Sequence, residues 1–243
     1  MAAHATSAAP TKLPQRPFLA ALGALVAALA FCLAWGGGNL GFSSSLTPGL
    51  IEQLAGKFGA DARTRLAAWQ KFLLGRRLPE ERREGLQGRT ERDVLEGVNA
   101  FFNRLRFVDD IKHWRVEDYW ASPAEMMASN GGDCEDYSIA KYFALKELGV
   151  PVARLRITYV KATSINQAHM VLAFYPSPDA DPLILDNLDD RIRPASERTD
   201  LIPVYNFNDD DVWLAKSGAR TGSSSQIRLW RGLLDKLEKE IGI

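Results

Sequence analysis

After residue 46, apolar residues first recur at helical spacing, and this pattern predicts three helices. Thr47 followed by Pro48 is typical of a helix start, and Thr90 with Asp93 resembles a capping pair. The charged segment Gly75–Gly88 is predicted to be a loop between the second and third helices. The three apolar stripes, predicted to form core, are Leu50, Ile51, Leu54 and Phe58; Leu66, Trp69, Phe72 and Leu73; and Val94, Leu95, Val98, Phe101, Phe102 and Leu105.

A fourth helix is predicted from Cys134 to about Leu148, where Gly149-Val150-Pro151 stops it. It follows a connector, Asp109–Gly132, that is rich in aromatic residues. A final helix is predicted near the end of the chain, because its apolar residues form a heptad-like stripe. The residues of that stripe are Ile227, Trp230, Leu234, Leu237 and Ile241.

Between these last two helices the pattern changes to the alternation and short apolar runs typical of β-strands. The predicted strand segments are Leu155–Tyr159, Met170–Tyr175, Leu183–Leu185 and Ile202–Phe207. Ser217–Ser225 is rich in glycine and serine and is predicted to be flexible. Helices followed by an antiparallel sheet indicate an α+β fold, with a helical N-terminal lobe over about 45–150, an antiparallel β lobe over about 151–215 and a C-terminal helix over about 226–243.

The first 40 residues have a different character. Phe18–Trp35 is an apolar run, preceded by Lys12 and Arg16 and by no acidic residue. Such a run is close to the minimum of about 17 residues that spans a bilayer. Residues 1–40 are therefore predicted to be a signal peptide or a retained N-terminal membrane anchor, with the basic flank in the cytoplasm and the body, residues 41–243, exported.

Composition excludes several classes of protein. The chain of 243 residues is 46% hydrophobic and 25% charged, which indicates a globular body rather than a disordered one. Its formal net charge of zero gives no general attraction to nucleic acid, and none is expected as a partner.

The two cysteines point to chemistry. Cys32 lies in the apolar run, so the exported body holds one thiol, Cys134, in a compartment that favours disulfides. A buried inert cysteine is the alternative to a reactive one. Cys134 follows Gly131-Gly132-Asp133 at a predicted helix start, where the dipole and free N–H groups favour the thiolate.

A nucleophilic thiol needs a base, and His169 is the best placed of the three histidines, since it opens a predicted buried strand. Asp186 ends the next predicted strand. If the two strands are antiparallel neighbours, Asp186 can orient the imidazole. Each residue alone is more simply explained as structural; only the combination with Cys134 favours a catalytic triad.

Acidic residues surround the thiol: Asp133, Glu135 and Asp136. They suit the helix dipole, but negative charge beside a thiol raises its pKa, and a bound divalent cation would offset this. Carboxylate oxygens suit Ca²⁺. Asp189-Asp190 and Asn208–Asp211 are further acidic segments, better explained as solvated turns.

Taken together, four motifs resemble those of the bacterial transglutaminase-like cysteine proteases, in particular the periplasmic LapG-type adhesin proteases. The motifs are Tyr119–Glu125 (YWASPAE), Gly132–Tyr142 (GDCEDYSIAKY), Gln167–Leu172 (QAHMVL) and Leu185–Asn187 (LDN). The resemblance implies a papain/transglutaminase-like fold, with Cys134 as nucleophile, His169 as general base and Asp186 as orienting residue. It also implies a Ca²⁺ cofactor at Asp133, Glu135 and Asp136.

The resemblance further implies a biological setting: a periplasmic protease that cuts a large surface adhesin near its N-terminus at a di-alanine site. An inner-membrane cyclic di-GMP receptor would sequester it, and its release would promote biofilm dispersal. Two alternatives stay open from the residues: another acyl transfer by the same triad, transglutamination or amidohydrolysis, and a non-enzymatic module in which Trp114, Trp120 and Met126-Met127 bind a membrane partner.

Overall fold

The helices lie mainly in the first half of the chain, as the apolar stripes predict. A computed structural model describes residues 46–76 and 89–242, and all structural statements concern these ranges. Thr47 caps the first helix by accepting a hydrogen bond from the Leu50 amide at 3.1 Å. The helices are α1 (Pro48–Phe58), α2 (Asp61–Arg76), α3 (Arg89–Phe102), α4 (Asp110–His113), α5 (Pro123–Ser129), α6 (Cys134–Glu147) and α7 (Arg228–Ile241).

The strands are β1 (Arg106–Phe107), β2 (Gly131–Gly132), β3 (Leu155–Ala162), β4 (Gln167–Phe174), β5 (Leu183–Leu185), β6 (Arg193–Pro194), β7 (Leu201–Phe207), β8 (Asp211–Leu214) and β9 (Arg220–Ser223). The second half of the chain forms one antiparallel sheet of seven strands, in the order β6-β5-β4-β3-β7-β8-β9. A separate parallel pair joins β1, just before the predicted connector, to β2 at its end. The predicted α+β fold class is confirmed.

The main core lies between the sheet and the helices, and α6 is buried along almost its whole length. Three large aromatic side chains, Tyr142 of α6, Phe207 of β7 and Trp230 of α7, meet there with ring centroids 5.3 Å to 5.7 Å apart. Burial of such rings is a major apolar contribution to stability. The C-terminal helix is therefore part of the core, and it helps to hold α6 against the sheet.

One sequence-based expectation is incomplete and one is wrong. The connector Asp109–Gly132, for which no elements were predicted, contains α4, α5 and β2. Ser217–Ser225 is not simply a flexible stretch, because Arg220–Ser223 forms the edge strand β9. These elements have two to seven residues, too few to show a period.

Some predictions fall on parts of the chain that are not described. The signal peptide or anchor predicted for residues 1–40 lies outside the described residues, as does most of the predicted loop Gly75–Gly88; α2 continues to Arg76. Helix α3 begins at Arg89, so Thr90 lies inside its first turn and not at the cap position. Within the described ranges, none of the helices combines the length and apolar character needed to cross a membrane. The division into domains stays a prediction.

Candidate active site

A cleft of about 550 Å³ lies where the start of α6 meets β4. Cys134 and His169 both line it, so the structure brings together the thiol and the histidine that the sequence singles out. Both carboxylates and aromatic or aliphatic side chains line the cleft. The acidic lining residues include Asp118, Asp133 and Glu135, and the apolar ones include Trp120, Tyr159, Leu188 and Tyr205.

Cys134 is the first residue of α6 and is partly buried. Its Sγ lies 3.1 Å from Oε2 of Glu135, and it accepts a hydrogen bond from the backbone amide of Met170. Met170 is the residue after His169 on β4. The sulfur therefore lies beside the strand that carries the histidine.

His169 and Asp186 form a buried pair. His169 Nε2 lies 2.7 Å from Asp186 Oδ1, and the two residues are 3% and 1% exposed. The pair forms because β4 and β5 are antiparallel neighbours, with Leu172 opposite Leu185, which places the residue after β5 near the start of β4. The bond to Asp186 uses Nε2, so Nδ1 is the ring nitrogen left for proton exchange in the cleft.

Asp186 is held by groups that the sequence analysis did not identify. Its Oδ1 accepts a hydrogen bond from the Leu188 amide at 3.0 Å, and its Oδ2 accepts one from Arg198 Nη2 at 2.7 Å. Asn103 donates to its backbone carbonyl at 2.8 Å. Burial acts to raise the pKa of Asp186, but the His169 hydrogen bond and charge, with those from Leu188 and Arg198, lower it to about 2. Asp186 is thus an anion at any physiological pH.

The thiol of the metal-free chain is not activated by the helix terminus alone. Burial raises the pKa of Cys134, the negative charge of Glu135 and Asp133 raises it further, and the Met170 amide opposes this only in part. Burial and the neighbouring charges therefore oppose the thiolate that the start of α6 was expected to favour. Neutralising the adjacent carboxylates would lower the pKa of the thiol and so favour the thiolate.

Five carboxylates gather next to Cys134. The three predicted metal-binding acids, Asp133, Glu135 and Asp136, are joined by two that the sequence analysis missed, Asp110 and Asp118. Within each of the groups Asp110-Asp133-Asp136 and Asp110-Asp118-Glu135, one oxygen from each residue lies within 4.8 Å of the others. Asp110 and Asp118 sit in the connector. The pairing of β1 with β2, Arg106 opposite Gly131, and the hydrogen bond from the Ala121 amide to Asp136 Oδ1 bring that segment to the start of α6.

The chemistry of this cluster fits a hard divalent cation. Within the described chain, Asp110 Oδ1, Asp133 Oδ1 and Asp136 Oδ2 are buried and have no hydrogen-bond partner. Burial, followed by repulsion from the neighbouring acids, raises the pKa of Asp110 to about 7 and that of Asp136 well above its usual range. Burial also raises the pKa of Asp133 and of Glu135. Oxygen ligands of this kind suit Ca²⁺, which accepts irregular geometry.

The other acidic segments have structural partners. Asp209 accepts a hydrogen bond from the Tyr142 hydroxyl at 2.8 Å and pairs with Lys146. Asp189 pairs with Arg193 at 2.7 Å, and Asp190 accepts a hydrogen bond from Asn103 at 2.6 Å. These contacts support the interpretation of both segments as turns.

The surface suggested for a binding module does not form. Met126 and Met127 are 0% and 3% exposed and belong to the main core. Trp114 packs edge-on against Phe58 at 5.8 Å, while Trp120 lies in the wall of the cleft. His113, the other described histidine, hydrogen-bonds Ser129 at 2.9 Å. Of these residues, Trp120 lines the cleft around Cys134.

Position 132 must be glycine because the side chain of Asp136 lies too close to leave room for a Cβ atom. A Cβ at this position would lie 2.7 Å from Asp136 Cβ, closer than atoms normally come. We expect Gly132→Ala to lower the free energy of unfolding by about 1–3 kcal/mol, because either Asp136 or the backbone must move. Urea denaturation in EGTA measures this, and weaker calcium-induced stabilisation should accompany it.

Gly56, inside α1, is the matched control: a Cβ there meets nothing within 4 Å. Gly56→Ala should stabilise the protein by roughly 0.5–1 kcal/mol, as expected for a glycine in a helix interior. Equal effects of the two substitutions would contradict the steric explanation.

Comparison with known proteins identifies the family. The model of the family "Bacterial transglutaminase-like cysteine proteinase" matches residues 79–215. A structure of Legionella pneumophila LapG is 42% identical, with a TM-score of 0.63, over 77% of this chain and 96% of that one. The calcium-bound structure of the same protein is 42% identical, with a TM-score of 0.62, over 77% of this chain and 97% of that one. The EGTA-treated structure is 42% identical, with a TM-score of 0.65, over 77% of this chain and 96% of that one. The search of curated proteins returns no match. The chain belongs to the bacterial transglutaminase-like cysteine proteinases.

Proposed function

We propose that this protein is a calcium-dependent cysteine endopeptidase in which Cys134, His169 and Asp186 form the catalytic triad. The observation that carries the proposal is the cleft lined by both Cys134 and His169, with Asp186 hydrogen-bonded to Nε2 of the imidazole. This order of thiol, imidazole and carboxylate is the one that nucleophilic catalysis requires.

In the proposed reaction, His169 Nδ1 accepts the thiol proton while the sulfur attacks the peptide carbonyl carbon. The imidazolium, stabilised by the Asp186 carboxylate, then donates that proton to the departing amine, leaving an acyl-enzyme. Water attacks the thioester, giving a proton to His169 and releasing the acid, and the thiol is restored. The backbone N–H groups at the start of α6 are positioned to stabilise the carbonyl oxyanion.

Calcium is proposed to bind at Asp133, Glu135 and Asp136 together with Asp110 and Asp118. When bound, it would supply positive charge that offsets the carboxylates beside Cys134 and so favours the thiolate. Support comes from the unpartnered oxygens of the cluster and from the 42%-identical L. pneumophila LapG, which is described in a calcium-bound form.

We further propose that the substrate is the N-terminal region of a large surface adhesin, cut in the periplasm. An inner-membrane cyclic di-GMP receptor would sequester the enzyme, and its release would promote biofilm dispersal. The support is the motif resemblance and the exported character predicted from the basic flank and apolar run Phe18–Trp35. Cell fractionation, with mass spectrometry of the mature N-terminus, tests the location and whether the apolar segment is retained.

The reaction class is tested by incubating the purified protein with the adhesin N-terminal region and a primary amine, with and without EGTA. Calcium-dependent cleavage into two fragments is expected, since water is then the acyl acceptor. Isopeptide adducts without cleavage would instead favour a transglutaminase, and no reaction with any adhesin region would contradict the adhesin substrate.

The acidic cluster predicts a pH dependence for the effect of calcium. Burial and repulsion raise the carboxylate pKa values. The metal-free folded chain therefore binds more protons than the unfolded chain between about pH 4 and about pH 7. Over this range, these groups make the free energy of unfolding fall as the pH rises. Calcium replaces those protons. At fixed free calcium, the calcium-induced increase in Tm should thus be larger at pH 8 than at pH 5. An equal increase at both values would contradict carboxylate coordination.

A further inference from the structure

Arg198 is a buried cation in direct contact with the proposed triad. It is 3% exposed, and its Nη2 donates to Asp186 Oδ2 at 2.7 Å. The other carboxylate oxygen of Asp186 is the one that meets His169 Nε2. Because the two oxygens of one carboxylate are rigidly linked, a group that holds Oδ2 also sets the direction of Oδ1.

The guanidinium is itself held on its outer side. Asp200 Oδ1 accepts from Arg198 Nε at 2.9 Å, and Asp200 Oδ2 accepts from Nη2 at 2.9 Å. The fork of the guanidinium makes such two-point contacts possible, and a lysine ammonium does not reproduce them. The side chain of Asp200 is 37% exposed, so a chain of contacts runs from near the surface to the imidazole.

Arg198 does not belong to the substrate cleft. It lines a separate cavity of about 220 Å³, together with Val160, Val171 and Ile184, residues of a second apolar cluster outside the main core. Cys134 and His169 line the other, larger cleft. An effect of Arg198 on catalysis must therefore pass through Asp186 and not through contact with substrate.

Lys141 is a second buried cation near Asp186, but it does not hold the Asp186 carboxylate as Arg198 does. Within the described chain it makes no hydrogen bond to Asp186, and its attraction to Asp186 and Asp190 is electrostatic alone. Burial lowers the pKa of Lys141 to about 7, so the amine is only partly charged near neutral pH.

We propose that Arg198 is a positioning residue of the triad: anchored by Asp200, it holds Asp186 so that Oδ1 meets His169 Nε2. The proposal rests on the proposed function, because the triad is assigned there. It makes Arg198 and Asp200 part of the catalytic machinery, although neither touches substrate.

Arg198→Met tests the proposal, because it keeps an unbranched apolar stem and removes the guanidinium. We expect kcat to fall on the order of tenfold with KM changed less than about twofold, since ground-state binding is not altered. The proton NMR signal of the His169 Nε2–H should shift upfield or be lost through exchange in the variant. Arg198→Lys should recover only part of kcat.

Arg154→Met is the matched control. Arg154 forms a half-buried pair with Glu91, with distances of 2.6 Å and 3.1 Å, away from the triad. Its loss should lower stability and leave kcat and the His169 signal unchanged. If Arg198→Met does not fold, Asp200→Asn serves instead: it keeps the bond to Asp186 but replaces one of the two anchoring oxygens with an NH₂ group and removes the charge, so smaller changes of the same kind are expected.

A folded Arg198→Met or Asp200→Asn variant with the wild-type kcat, or with an unchanged His169 signal, overturns the proposal. The NMR signal needs no substrate, so it also separates the two hypotheses. If the wild-type protein cleaves nothing and the variant still loses the His169 signal, the positioning role is upheld and the peptidase assignment is rejected.

Discussion

Replacing Cys134 with alanine is expected to abolish peptide cleavage while leaving the fold intact. Its sulfur is the one nucleophile of the proposed triad, and it lines the cleft together with His169. Loss of the nucleophile should reduce kcat by at least about 10⁴-fold, because the remaining triad residues cannot form an acyl-enzyme. The measurement is single-turnover cleavage of the adhesin fragment followed by electrophoresis and mass spectrometry.

The two described histidines offer a matched comparison for the same assay. His169→Ala should lose cleavage nearly as completely as Cys134→Ala, since the thiol then has no base. His113→Ala should retain it, because His113 contacts Ser129 outside the cleft. Cleavage by Cys134→Ala at more than about one hundredth of the wild-type rate would reject the proposed mechanism.

Removal of calcium is the second change with a large expected effect. EGTA should stop cleavage and lower the Tm, because without the cation the clustered carboxylates repel one another and raise the pKa of Cys134. With free calcium about 1,000-fold above its Kd, binding adds about 4 kcal/mol to stability. For a domain of this size that corresponds to a Tm difference of about 10 °C. Differential scanning calorimetry with and without EGTA measures it.

Substitution within the acidic cluster should mimic the chelator. Asp136 is 1% exposed and its Oδ1 already accepts the Ala121 amide at 2.7 Å, so Asp136→Asn removes charge at a fixed position. The calcium concentration for half-maximal cleavage should rise at least about tenfold. Asp235→Asn, on the exposed side of α7, should leave it unchanged. Identical Tm and cleavage with and without EGTA would refute the calcium site.

Long periodic elements were predictable from sequence because their pattern is local. The apolar stripes of α1, α2, α3 and α7 locate each helix to within a few residues, Thr47-Pro48 marks the start of α1, and Gly149-Val150-Pro151 marks the end of α6. Strands β3, β4, β5 and β7 were predicted from alternation and short apolar runs. Strands β1 and β2 have two residues each, and their hydrogen bonds come from pairing with each other across more than twenty residues of chain.

The candidate site also contains some residues that could be predicted from sequence and others that could not. Cys134, His169 and Asp186 could be selected from sequence, because each occupies a position where an element begins or ends, and element ends are visible in the pattern. Asp110 and Asp118 could not, because they lie in an aperiodic connector that long-range contacts such as the β1–β2 pairing bring to α6. Arg198 and Asn103 gave no signal either, since their hydrogen bonds to Asp186 cross 12 and 83 residues of chain.

The sequence by itself determined the fold class, the main helices and strands, the candidate triad and the acidic character beside the thiol. The tertiary structure decided which carboxylates share a site, which cation holds Asp186, and that burial and negative charge raise the pKa of Cys134. The physical reason is that periodicity reports which face of an element is buried, whereas desolvation, charge repulsion and hydrogen bonding depend on distances between residues far apart in the chain.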